Sequence, residues 1–137
     1  MSFTDSRSAL FSAFKDNDFF DETVISFENR KFVPPDVGPW AALYFMPTQP
    51  VCATLGEGGT DRMDGILQVD LNYPTDAGEA EVNLMFENIR DVFKCGARFA
   101  YQNQEVIIKS CGRNTGRIVN NFYKVVVTIQ FYTHIIR

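Results

Sequence analysis

Trp40-Ala-Ala-Leu-Tyr-Phe-Met46 is followed, after a glycine-rich stretch, by Gly65-Ile-Leu-Gln-Val-Asp-Leu-Asn-Tyr73. The first run is almost wholly apolar, and the second places Leu67, Val69, Leu71 and Tyr73 on alternate positions, the pattern of a strand with one buried face. Between them, Leu55-Gly-Glu-Gly-Gly-Thr-Asp-Arg-Met-Asp-Gly65 is charged and rich in glycine, so a loop is expected from Ala53 to Asp64. Side chains on such a connector are free to meet other molecules.

Working outward, Phe3, Leu10 and Phe14 share a stripe with Phe11 beside it, and Asp5, Ser8, Ser12 and Lys15 occupy the other side. That spacing predicts a surface helix from Ser2 or Thr4 to about Asn17, apolar side inward. Thr23 to Phe27 has the β-branched and aromatic content of a short strand. The prolines of Asn29 to Pro39 force extended coil into Trp40. Beyond Tyr73, Asp76 and Glu79 have capping-box spacing, and Val82, Met85, Phe86, Ile89, Val92 and Phe93 recur at helical intervals. A second helix to about Lys94 follows, with Gly96 placed as its C-terminal cap. Glu105 to Cys111 and Phe122 to His134 read as the last strands, separated by a turn containing Gly112, Asn114 and Gly116. The final strand is long, about 43 Å at ~3.3 Å per residue, and alternates Tyr123, Val125, Val127, Ile129, Phe131 and Thr133 against the intervening residues. The fold class is therefore α+β: one domain over residues 1–137, an antiparallel or mixed sheet of about five strands, and two helices packed on it.

Composition narrows the function. A chain of 137 residues with 45% hydrophobic content can bury a core without disulfides or metal. Thirteen phenylalanines imply more aromatic surface than one small core absorbs, which favours an oligomer. A net charge of −4, without a dense basic cluster beyond Arg113, Arg117 and Lys124, disfavours tight nucleic-acid binding. The first residues lack a basic, apolar leader pattern, and no run reaches the ~18 apolar residues of a membrane span. A soluble protein made in a cytoplasm, without a membrane partner, is expected. Cys52, Cys95 and Cys111 are widely spaced without a C-x-x-C pair, so buried reduced thiols are expected.

Catalytic chemistry finds few residues to work with. The sole histidine, His134, lies in an apolar strand near the end of the sequence, poorly placed to serve a nucleophile. Gly56-Glu-Gly-Gly59 lacks the Gly-Lys-Ser/Thr ending of a phosphate loop and would set Glu57, Asp61 and Asp64 against an anion. Those acids, with Asp70, also lack the spacing of a calcium loop. Arg62 is the one base among them, expected to pair with Asp61 or Asp64 or to reach across a subunit boundary. Trp40 is expected in the core.

Phe27-Glu-Asn-Arg-Lys-Phe-Val-Pro-Pro35, then Trp40, Leu55-Gly56, Arg62, Gly65 and the Pro74 to Gly78 lead-in to a helix together resemble the tail terminator family of long-tailed bacteriophages. The motif residues Phe27, Glu28, Asn29, Phe32, Pro34, Pro35, Trp40, Gly56, Gly65 and Gly78 carry that resemblance over about residues 3 to 95, and are structural rather than catalytic. The resemblance implies a virion protein without enzymatic activity, metal or cofactor. It implies a homo-oligomer, a hexameric ring on the head-proximal end of the tail tube. The partners it implies are the major tail tube protein and a head completion or connector protein, with DNA only as passing cargo. Candidate interface residues are then Glu57, Asp61, Arg62 and Asp64 on the first loop, with Arg113 and Asn114 on the second. The rivals are another neck protein, a head-tail joining or tail completion factor, and a small ligand-binding domain using Trp40, Tyr44 and Tyr123.

Overall fold

The computed structural model describes residues 2–28, 30–35, 38–76 and 78–136, the side chains of residues 2 and 3 apart. In chain order the elements are α1 (Ser2–Asp16), β1 (Ile25–Phe27), β2 (Trp40–Pro47), β3 (Val51–Cys52), β4 (Thr60–Pro74), α2 (Ala80–Val92), β5 (Arg98–Tyr101), β6 (Gln104–Arg113), β7 (Arg117–Val119) and β8 (Phe122–Ile136). A short 3-10 turn, Glu22–Val24, precedes β1 and is capped by the Asp21 carboxylate, which accepts from Thr23 N. That bond holds the Asp21 carboxyl below its usual range.

β4 and β8 pair antiparallel along their whole length, from Thr60 opposite Ile136 to Pro74 opposite Phe122. The sheet is built outward from this ribbon in the order β1-β2-β4-β8-β6-β5, with β3 added to β4 and β7 to β8. Among the described strand pairs, β1 and β2 alone run parallel. Alternation decides the faces: Leu67, Val69 and Leu71 of β4 and Val125, Val127, Ile129 and Phe131 of β8 are fully buried on one side. Each such side chain contributes about 1.5 to 3 kcal/mol. The helices cover that side, α1 through Leu10 and Phe14, α2 through Val82, Ile89 and Phe93.

The sheet curls, and its curl places the site. Helix α1 packs on β5, β6 and β8, yet its Phe11 ring lies 5.7 Å from Phe27 of β1 at the other end of the strand order. The two edge strands thus approach one another around α1, which fills the gap between them. The coil after β1 returns to β2, and Phe32 stacks 5.1 Å from Trp40.

Several expectations need correction. Among the described residues the sheet has eight strands rather than about five. β3, β5 and β7 are only two to four residues long and mostly exposed, too short to carry an alternation that can be read. Thr60 to Asp64 belong to β4 rather than to a loop, because β8 continues opposite them and supplies their ladder. Helix α2 has Glu79 at its N-cap with no side-chain bond capping the helix, and Asp76 sits at positive φ in the preceding turn, so no capping box forms. Its C-cap is Phe93, not Gly96; Gly96, at φ +87°, instead turns the chain so that its N–H reaches Ile108 O at 2.8 Å. The cysteines are free, but Cys52 and Cys95 are exposed and Cys111 is half-buried. The aromatic surplus is also absorbed: no described phenylalanine is exposed, and the open apolar residues are mainly aliphatic, such as Leu55, Ile118 and Ile136.

Candidate interaction site

The face of the sheet opposite the helices carries the even-numbered residues of β4 and β8. Arg62 and His134 face each other there, as do Asp64 and Tyr132. Arg62 Nε donates to Asp64 Oδ1 at 2.8 Å, and Lys109 Nζ donates to Asp64 Oδ2 at 3.1 Å. The Arg62 guanidinium lies 4.2 Å from the centre of the Tyr132 ring, against which His134 stands edge-on at 6.0 Å. The hydrogen bond from Arg62, then that from Lys109, hold the Asp64 carboxyl below its usual range, and the same Arg62–Asp64 bond pushes the guanidinium up. Lys109 reaches Asp64 because β6 changes register between Ile108 and Ser110, a bulge that re-aims a side chain.

Beyond this ribbon the chain makes a short arm. Thr48 N and Oγ1 both donate to Asp64 O at 2.8 Å. At the tip, Ala53 N and Thr54 N donate to Thr60 O at 2.9 and 3.0 Å, and Thr60 N donates to Thr54 Oγ1 at 2.7 Å. These bonds hold Leu55 93% exposed, with Glu57 exposed beside it. Gly56 makes the turn at φ +93°, a conformation costly for any residue with a Cβ.

Arg113 and Asn114 lie elsewhere. Asn114 Oδ1 accepts from Val126 N at 2.8 Å, eight residues along β8 from His134, a separation of about 26 Å. Arg113 donates to Asn83 Oδ1 on α2, and Nε donates to Asn114 O at 2.9 Å. Glu79 accepts from the Tyr123 hydroxyl nearby, and this bond raises the tyrosine's pKa. The six residues singled out from the sequence therefore form two groups: Glu57, Asp61, Arg62 and Asp64 at one end, Arg113 and Asn114 at the other. Lys109 and Tyr132 complete the first group and were missed, because only strand register brings them beside Asp64.

The motif residues are spread through the frame. Phe27 packs on Phe11, and Glu28 is half-buried after β1. Trp40 sits between Phe32 and an edge-on Phe122 at 5.8 Å, half-buried rather than in the core. Pro34 and Pro35 face Pro74 and Phe122 across a cleft of about 500 Å³. Gly65 faces Phe131: a Cβ there would lie 2.6 Å from the ring. Gly78 holds φ +79° before α2. Asn29 lies outside the described residues.

Among the described residues no cluster of three or more His, Cys, Asp or Glu could hold a metal ion, and no helix is long and apolar enough to cross a membrane. The arrangement presents charge, an aromatic ring and a projecting leucine on fixed backbone. A family model described as "Phage tail terminator protein" matches residues 6–131, and the chain belongs to that family. It is a structural protein of a phage tail, placed in the virion. A solved structure with 17% identity superposes with a TM-score of 0.78 over 97% of this chain and 96% of its own, a likeness of fold. No curated protein sequence matches.

Proposed function

We propose that the chain forms a hexameric ring that caps the head-proximal end of the tail tube, stops further tube addition and offers the docking surface for a head completion or connector protein. The observation that carries this reading is the family match over residues 6–131. The strand ribbon is consistent with it: β4 and β8 lead to an arm displaying Leu55 and Glu57 at one end, while Arg113 and Asn114 lie toward the other. A terminator needs two unlike ends, one complementary to the tube and one that refuses another tube ring. Contacts between successive copies around a ring are head-to-tail and close only at the right rotation. At −4 per chain, six copies surround the passing DNA with net negative charge, which limits adhesion to the wall.

The test is complementation of a phage lacking the protein with a chain carrying Glu57→Lys and Arg62→Glu together. Loss of tail-length control or of head joining, with the variant still folded, is the expected result. Normal particles would remove the arm from the mechanism.

A further inference from the structure

A groove on the opposite side of the molecule carries charge that the terminator reading does not use. It lies on the seam where the sheet edges approach α1, with an open volume of about 200 Å³ lined by α1, by Phe27 and Arg30 and by Tyr101 of β5. On its floor Phe11 and Phe27 lie 5.7 Å apart. Each ring carries a guanidinium: Arg7 Cζ is 4.2 Å from the centre of Phe11, and Arg30 Cζ is 5.7 Å from the centre of Phe27. Neither arginine forms an ion pair among the described residues.

A guanidinium held over an aromatic face keeps its N–H edge free to donate; Arg7 lies close over its ring, and Arg30 sits toward the limit of such a contact. Two such edges over one groove are prepared for planar anions, since a carboxylate takes a guanidinium fork through paired hydrogen bonds. Ser8 and Ser12, one helical turn apart, and the Tyr101 hydroxyl add neutral donors to the same groove. The acid on its rim, Glu22, is occupied by Lys15 at 3.1 Å.

We propose that this groove binds the carboxylates of an acidic segment from a neighbouring protein, with Arg7 and Arg30 as its two anchors. Charge decides for a protein segment over a nucleic-acid backbone. Asp16, Asp18 and Asp21, with Lys15, line the hollow that adjoins the groove on the α1 side, and Arg30 with Lys31 line the one on the other side, so a polyanion running on past α1 meets repulsion, whereas a short run of carboxylates spans the two arginines without reaching those acids.

The groove is tested on the purified chain, without phage and whether or not the chain ends a tail tube. Binding of a labelled hexaglutamate peptide is followed by fluorescence anisotropy at low salt and again at 0.5 M salt, about the range where exposed charge pairs are screened. The intact protein should bind and weaken with salt. Arg7→Gln with Arg30→Gln should lose at least about tenfold in affinity, the scale of a charge-assisted hydrogen-bond pair. Lys94→Gln with Arg117→Gln, which removes equal charge from exposed sites elsewhere, should change it less than about twofold. Arg7→Lys with Arg30→Lys keeps the charge without the planar fork and should fall between. Circular dichroism verifies the fold of each. Absence of peptide binding, equal loss in both glutamine pairs, or an oligothymidylate of matched charge binding as tightly as the peptide would overturn the proposal.

Discussion

Gly65 shows how one missing side chain shapes the ribbon. A Cβ there would meet Phe131 Cζ at 2.6 Å and Met46 O at 3.0 Å, and Phe131 is itself stacked on Phe45 at 5.5 Å. With no room for the ring to retreat, Gly65→Ala should lower stability by about 1 to 3 kcal/mol in urea unfolding. The thiols separate by environment. Burial pushes Cys111 up to about 11, while Cys52 and Cys95 are exposed. Iodoacetamide at pH 8 should therefore modify two thiols readily and the third only after denaturant is added. Mass spectrometry of the alkylated chain counts them. Asp64 gives the acid limb a sign. Its carboxyl is depressed by Arg62 and Lys109, so its contribution is present above the unfolded carboxylate value of about 3.9 and is lost as pH falls through its lower folded value. Asp64→Asn should shrink the drop in unfolding midpoint between pH 5 and pH 3 relative to the unaltered chain. Arg62, named from sequence as the partner of a loop acid, does pair with Asp64; Lys109 and Tyr132 could not be named, because their nearness is a property of register.

At the scale of elements, the strongly periodic segments were legible. The alternation in β8 and the helical stripe of α2 identify the buried residues Val125, Val127, Ile129, Val82 and Ile89. What escaped was short or borrowed. β3, β5 and β7 have no internal pattern and exist because a longer neighbour offers a ladder. Thr60 to Asp64 look like loop by composition and are strand by pairing, since β8 extends to meet them. Helix α1 lies against strands from one end of the sheet order while Phe11 touches the other, so its buried face sustains the curl. Phe14, fully buried and 5.1 Å from Phe19, is its central contact. Phe14→Ala should cost about 3 to 5 kcal/mol in equilibrium unfolding; a loss under 1 kcal/mol would mean that the helix is not what closes the seam.

For the whole molecule, sequence alone gave the class and the family resemblance, and the family is shown over residues 6–131. The curled sheet and two helices leave no described phenylalanine exposed, so the aromatic content is taken up by the chain itself. What the surface offers instead is the projecting Leu55 at 93% exposure and, on β4, the Arg62–Asp64 pair. The central claim is that this protein ends the growth of the tail tube. Electron microscopy of lysates from a phage lacking it measures that directly: the account predicts tails longer than normal and unattached to heads, and tails of normal length without heads would contradict it in favour of a joining role.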